Sequence, residues 1–363
     1  DSFNFGPWLK AVDLQGNERV LLSNQDWTLS SALWLADGRI TFVGVPTGKR
    51  FGTKNDLYVM QADGSGIDCR TAALPNTVAA GIHDDSPLIW SIQPVPVLPG
   101  EDLSEAITVV TNGGQVNLYQ VRLDGPESAR LLLGGERFCF PLSRVGDRLV
   151  FGAATQFDPC QLFLLDISTG KERALTSLNK DLLSRIEMPV LKNLHFPSSD
   201  GKMVEGWVLL PPQGKPPYPT ILHIHGGPHA VYGHSFYFDF LTLTGLGYAV
   251  LFINHRGSLG YGDEFATAIH AAWGHLDYDD LMAGVDHAIA LGIADPDRLG
   301  CCGVSGGGNL SCWIVGHTDR FKAAVPENRV TNFVSLYGTS DISPVFLVNE
   351  MGGDISFHSQ PNR

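Results

Sequence analysis

The chain has 363 residues, 44% hydrophobic and 17% charged, a water-soluble composition long enough for two cores. Its net charge of −13 is spread almost evenly over the two halves, and no Lys/Arg block occurs, which argues against a nucleic-acid partner. The longest apolar run, Leu241 to Ile253, is broken by Thr and Gly and followed by Asn254-His-Arg256, so it reads as a helix end and a buried strand, with no membrane partner expected. Six cysteines show no C-x-x-C spacing, and neither a metal nor another cofactor is expected. No signal peptide opens the chain, so the expected location is cytoplasmic.

Residues 1–187 read as repeated antiparallel strands joined by short turns. Asp37-Gly-Arg-Ile-Thr-Phe42 precedes Asn55-Asp-Leu-Tyr-Val59 and the turn Asp63-Gly64. Ala106 to Val110 precedes Asn117-Leu-Tyr-Gln120 and Asp124-Gly125. Asp147-Arg-Leu-Val-Phe151 precedes Gln161-Leu-Phe-Leu164 and Ser168-Thr-Gly170. Leu57, Leu118 and Leu162 mark equivalent points, 61 and 44 residues apart. Such periods suit β-propeller blades, with a β-sandwich as the alternative. At roughly 45 residues each, about three to four blades fit before residue 187.

From residue 188 the pattern changes to α/β. Pro219-Thr-Ile-Leu-His-Ile224 is a buried-strand pattern that runs into His225-Gly-Gly-Pro228. This loop resembles the oxyanion loop of α/β-hydrolases, in which backbone N–H groups meet the developing oxyanion. Pro228 has no N–H, so Gly227 is the candidate donor and His225 a brace for the loop. His223, His225, His229 and His234 lie within 12 positions, but no Cys or carboxylate of recognised spacing completes a metal site. After the strand Ala249 to Ile253 comes Asn254-His-Arg-Gly-Ser-Leu-Gly-Tyr-Gly-Asp263, in which Arg256 either braces the neighbouring loop or meets a substrate carboxylate. Asp277, Asp279 and Asp280 precede the stripe Leu281, Val285, Ile289 and suit the first turn of a helix.

Further on, Asp295-Pro-Asp297 predicts a turn, Arg298 to Cys302 a short buried strand, and Asn309 to His317 a helix with Leu310, Trp313 and Ile314 on its packed face. Between strand and helix stands Gly303-Val-Ser305-Gly-Gly307. With 41 glycines present, a G-x-S-x-G match arises by chance about 0.3 times, so the flanking strand and helix carry its meaning. In that setting Ser305 is an exposed nucleophile on a strained elbow, and the N–H of Gly306 is the second oxyanion donor. Cys301 and Cys302 read as small core hydrophobes.

His225-Gly-Gly-Pro228, the string Asn254 to Asp263, Trp273-Gly274, Asp295-Pro-Asp-Arg-Leu299, Gly303-x-Ser-x-Gly307 and Gly316-His-Thr-Asp-Arg-Phe321 form an ordered series. It resembles the prolyl oligopeptidase family, acylaminoacyl peptidase branch. The resemblance implies an N-terminal β-propeller, here partial and over 1–187, and a C-terminal α/β-hydrolase domain over 188–363. It implies a serine peptidase whose propeller screens access, acting on oligopeptides and releasing blocked N-terminal residues. One departure is Gly306, where many relatives carry Tyr.

The same resemblance places the catalytic Asp and His beyond Arg363 and the missing blades before Asp1, so both ends are expected to be cut and the chain alone to be inactive. Of the groups downstream of Ser305, Asp354 and His358 stand too close together for two separate post-strand loops, and Asp341 belongs to a family loop. A strand expected at Phe333 to Leu336 would be an open sheet edge inviting association, which leaves a homo-oligomer open. Two alternatives stand beside this reading: an α/β-hydrolase esterase, which would share the elbow and oxyanion loop but lack the blade repeats, and a non-catalytic peptide-binding scaffold, which would fit the missing acid and base.

Overall fold

The computed structural model describes residues 8–85 and 97–352. Its first part is built from antiparallel strands taken up in chain order. A hairpin of β1 (Leu9–Val12) and β2 (Glu18–Leu22) comes first. Next is a four-stranded meander of β3 (Trp27–Trp34), β4 (Ile40–Pro46), β5 (Asp56–Met60) and β6 (Asp68–Cys69). The second meander is β7 (Val97–Pro99), β8 (Glu105–Asn112), β9 (Gln115–Arg122) and β10 (Ala129–Leu133). The third is β11 (Phe138–Val145), β12 (Arg148–Thr155), β13 (Asp158–Asp166) and β14 (Lys171–Ala174).

These are propeller blades, each four antiparallel strands joined to their neighbours in sequence. Leu57, Leu118 and Leu162 fall in β5, β9 and β13, the third strand of each blade. Apolar side chains fill the spaces between blades: Val43, Leu57 and Val59 meet Val97, Ala106 and Val110, while Ile107 and Val109 meet Phe138, Phe140 and Phe151.

After the short helix α1 (Lys180–Leu183), a six-stranded sheet begins. It comprises β15 (Val190–Pro197), β16 (Met203–Leu210), β17 (Tyr218–Ile224), β18 (Ala249–Asn254), β19 (Ala294–Val304) and β20 (Phe321–Glu327), in the order β15-β16-β18-β17-β19-β20. The last four are mutually parallel. Helices α2 (Phe238–Gly245), α4 (Leu276–Ala290) and α5 (Gly306–His317) cross between them, with the short α3 (Asp263–Ala266) after β18. Every residue of β18 is buried, as a strand covered on both faces requires. One core runs beneath, where Leu222, Ile224, Leu251 and Ile253 pack on Leu281, Val285 and Ile314.

Chain order reverses at β17, which has β18 on one side and β19 on the other. The carboxyl ends of β17 and β19 therefore flank the crevice in which open α/β sheets bind ligands. The connector between the first and second blades reaches this region. Val231 N–H donates to Gly81 O at 3.2 Å, His83 N–H to Val231 O at 2.9 Å, and Asp85 N–H to Phe236 O at 2.9 Å.

Two expectations need correction. Residues 295–297 do not end a segment before the strand: β19 already pairs at Ala294 with Tyr218, and then bulges outward before Leu299 meets Thr220. The strand expected at Phe333 to Leu336 is helix α6 (Phe333–Thr339), because the Asn332 side chain accepts from Ser335 N–H at 2.8 Å and caps it. The outer strand on this side of the described sheet is thus β20, where Val325 is 56% exposed, with β15 at the opposite edge. Asp341 is exposed before α7 (Ser343–Glu350), while Asp354 and His358 lie outside the described residues. No helix among the described residues is long and apolar enough to cross a membrane.

Candidate active site

Ser305 stands at the carboxyl end of β19, exposed, with φ 57° and ψ −117°. A non-glycine residue adopts this conformation only under strain, which the surroundings must hold. They do so on both sides: Ser305 N–H donates to Glu327 O and Asn309 N–H to Ser305 O, each at 2.9 Å. Helix α5 begins at the next residue, leaving the N–H of Gly306 outside the intrahelical ladder. The turn is tight enough that a Cβ at Gly307 would stand 2.1 Å from Ile224 O.

Ile224 pairs with Gly303, so the loop after β17 lies beside this elbow. Gly227 has φ 122°, open only to glycine, and is exposed like Ser305. A Cβ on Gly306 would sit 2.9 Å from Gly227 O and 3.2 Å from Gly227 N. Loop and elbow therefore touch backbone to backbone, and Gly306 in place of a larger residue permits that approach. The geometry brings Ser305, Gly306 and Gly227 together.

His225 is enclosed, 1% exposed. Its Nδ1–H donates to Gly226 O at 2.8 Å and its Nε2 lies 2.9 Å from Ser258 Oγ. The ring stacks on His255 with centroids 4.6 Å apart and planes 10° apart. Burial, and next the neighbouring His255, hold its pKa well below the ordinary histidine value, so the ring is neutral at pH 7. Arg256 touches protein acids: Nε and Nη2 reach Asp280 at 3.0 and 2.7 Å, Nη2 reaches Ser198 Oγ at 3.1 Å, and Nη1 pairs with Asp200. This arrangement fastens the strand β18 exit to helix α4 and the β15–β16 turn.

The remaining histidines disperse. His223 meets Tyr232 OH at 2.8 Å, and His234 packs edge-on to Trp207. His229 commits Nδ1 to Gly257 O and Nε2 to Glu350 Oε1, both at 2.9 Å. Among the described residues no three His, Cys, Asp or Glu side chains gather as a metal-ligand set. Burial pushes the Cys301 and Cys302 thiols to about 11 and about 12, so neither offers a thiolate at neutral pH.

Sequence reasoning missed Asp280, Glu350 and His83 as parts of this region. Asp280 had a signal: it shares the buried face of α4 with Asp277, Gly284 and Val285, and an acid there needs a partner. Glu350 is 2% exposed, joined to His229 and to Trp273 Nε1 at 3.1 Å, yet nothing local in its sequence announces this.

Residues 234–356 match the model of the prolyl oligopeptidase family. The chain is 34% identical over 297 residues to the peptidase YuxL of Bacillus subtilis, covering 81% of this chain and 45% of YuxL. It is 41% identical over 143 residues to the acylamino-acid-releasing enzyme of Arabidopsis thaliana, covering 39% of this chain and 19% of that enzyme. The fold superposes on the acylaminoacyl peptidase of Pyrococcus horikoshii with a TM-score of 0.79 at 23% identity, covering 96% of this chain and 54% of that one. This chain thus spans about half or less of the length of each. With the blades, the switch-point crevice and the Ser305 elbow in place, the chain carries a prolyl oligopeptidase family domain in a β-propeller and α/β-hydrolase fold similar to that of acylaminoacyl peptidases.

Proposed function

We propose that this chain supplies the nucleophile and oxyanion hole of a serine peptidase that cleaves short peptides through an acyl-enzyme. The observation that carries this reading is the strained, exposed Ser305 at the head of α5 with the Gly227 backbone packed on Gly306. In this reading Ser305 Oγ attacks the peptide carbonyl, and the N–H groups of Gly227 and Gly306 hold the charge on the tetrahedral oxygen. A histidine must take the serine proton. Both ring nitrogens of His225 and His229 are engaged by other protein groups, Gly226 and Ser258 for the first and Gly257 and Glu350 for the second. We therefore assign the base and its acid to the part of the relatives' length that this chain does not span.

The relatives' names support N-acylated peptides as substrates, released one blocked residue at a time. The propeller, which we place at residues 1–187 ahead of a hydrolase domain at 188–363, would admit oligopeptides and exclude folded proteins. All six cysteines are unpaired, as suits a reducing compartment, and we place the protein in the cytoplasm.

The test is fluorophosphonate labelling of the full-length protein beside its Ser305→Ala variant, with turnover of an N-acetylated peptide anilide and of the matched ester. Labelling and anilide turnover that vanish in Ser305→Ala support the peptidase. Ester turnover alone makes it an esterase, and a folded wild type without labelling makes it a non-catalytic peptide binder.

A further inference from the structure

Glu350 is a carboxylate enclosed by protein. It ends α7, is 2% exposed, and its side chain reaches two groups far away in the chain. Oε2 accepts from Trp273 Nε1–H at 3.1 Å, and Oε1 lies 2.9 Å from His229 Nε2. Its main-chain carbonyl accepts from Ala271 N–H at 2.7 Å, which holds the helix end against the segment before α4. A buried acid with its partners is seldom more stabilising than apolar side chains of the same volume. What a fully paired buried network supplies is fixed geometry.

The hydrogens on this contact follow from the other end of the imidazole. His229 Nδ1 faces Gly257 O at 2.9 Å, and a carbonyl only accepts, so Nδ1 carries a hydrogen. One further proton must lie between Nε2 and Oε1 to make that contact a hydrogen bond. The ring is thus clamped between Gly257, in the loop after β18, and α7. The first blade closes on it from another side, where a Cβ on Gly52 would stand 2.5 Å from Nδ1. Next to Gly52, Phe51 N–H donates to Asn349 Oδ1 at 3.1 Å, and the Phe51 ring meets that of Phe346 edge-on at 5.7 Å.

What this clamp holds is the backbone of the glycine loop. One proline separates Gly227 from His229, and the chain turns so sharply that a Cβ on Gly227 would stand 2.6 Å from His229 N. Ala230 N–H closes the turn on Pro228 O at 2.9 Å. A displacement of His229 therefore carries the Gly227 peptide with it.

We propose that Glu350 and His229 are a positioning pair for the oxyanion hole: α7, acting through the His229 imidazole, fixes the turn that aims Gly227 N–H at the elbow. The inference rests on the reading of Gly227 as an oxyanion donor. Neither side chain touches substrate in this scheme; they act through the orientation of one turn.

Three variants of the full-length protein test it. Glu350→Met keeps a chain of similar length and loses both hydrogen bonds. Glu350→Gln keeps both, its amide nitrogen donating to Nε2 of a neutral His229 and its oxygen accepting from Trp273. Asn349→Ala, one position away on the same helix, cuts only the tie to Phe51 N–H. The expected result is a loss of about 10- to 100-fold in kcat for Glu350→Met with KM within about twofold of wild type, recovery of most of it in Glu350→Gln, and kcat within about twofold of wild type in Asn349→Ala. Wild-type kcat in folded Glu350→Met, or an equal loss in either of the other two variants, overturns the proposal. Native-state hydrogen exchange of the wild type in low urea needs no variant: the amide of Ala230 and those of residues 346–350 should become exchangeable in one step. An Ala230 amide that stays protected after α7 has opened rules the clamp out. Should the wild type show no Ser305-dependent turnover, the peptidase reading fails separately, and the exchange experiment still decides whether α7 holds the loop.

Discussion

Replacing Gly227 by Ala puts a single methyl group where the backbone leaves no space. At φ 122° an L-residue is strained by about 1–3 kcal/mol. The new Cβ would also stand 2.6 Å from His229 N and 3.1 Å from Ala230 N, both main-chain atoms that cannot swing aside. The loop must shift, and the N–H proposed to hold the oxyanion belongs to the residue that shifts. Loss of one such donor costs about 10²- to 10³-fold in kcat, or about 2.7–4 kcal/mol of transition-state stabilisation, with substrate binding little changed. Gly170→Ala is the control: its φ is 69° and nothing lies within 4 Å of the added Cβ, so it introduces backbone strain far from the site. Steady-state hydrolysis of a chromogenic peptide by the full-length variants, with urea midpoints measured in parallel, separates the two effects. Undiminished kcat in folded Gly227→Ala, or an equal kcat loss in Gly170→Ala, would refute the argument.

Ser305→Gly relieves the positive-φ strain and should raise the unfolding free energy by about 1 kcal/mol while abolishing fluorophosphonate labelling; a lower urea midpoint would show that the elbow is not strained. Asp280→Ala strands the Arg256 guanidinium in a site where the acid is 0% exposed, and should cost about 3–5 kcal/mol in chemical denaturation; a loss below about 1 kcal/mol would mean that Asp200 suffices. His223, His225 and His83 all have folded pKa values below the ordinary 6.5, so the unfolded chain binds more protons below that pH. Their contribution to stability is full above about pH 6.5 and drains as the pH falls. His223, pushed down to about 4 by burial and next by His83, accounts for about 3 kcal/mol of this by pH 4. Urea midpoints taken from pH 8 to 4.5 should fall less steeply in His223→Phe than in wild type, and equal slopes would count against the assignment.

What the sequence discloses here is what neighbouring residues encode. The elbow is legible because Gly303, Ser305 and Gly307 stand within five positions between an apolar strand and an apolar helix face. The blades are legible because Leu57, Leu118 and Leu162 recur in the same strand of each repeat. Phe333 to Leu336 misled because four residues of mixed apolar character fit either period, and the deciding group, Asn332, lies outside the run. The Asp295 bulge hid for a related reason: Asp-Pro-Asp is turn chemistry, and only the pairing of Ala294 with Tyr218 shows that the strand has already begun. His83, Asp280 and Glu350 depend on partners far along the chain, and Gly81-Ile-His-Asp-Asp85 on its own reads as polar connection. Only Asp280 carries a local sign, its place on the buried face of α4, and no spacing announces the other two.

The connector that lies along residues 231–238 has a consequence for how the molecule is made. His83 and the serine hydroxyl that binds its carbonyl are 152 residues apart, so the connector leaves the ribosome long before its partner segment. Domains fold in order of synthesis, and the first two blades are complete while Gly81 and His83 still present unmated strand-like backbone. Closing that long loop is entropically slow, and it can occur only after Phe238 has emerged. The interval between those two moments is when the nascent chain is most open to mispairing with a neighbour, and when a holding chaperone would have its clearest target.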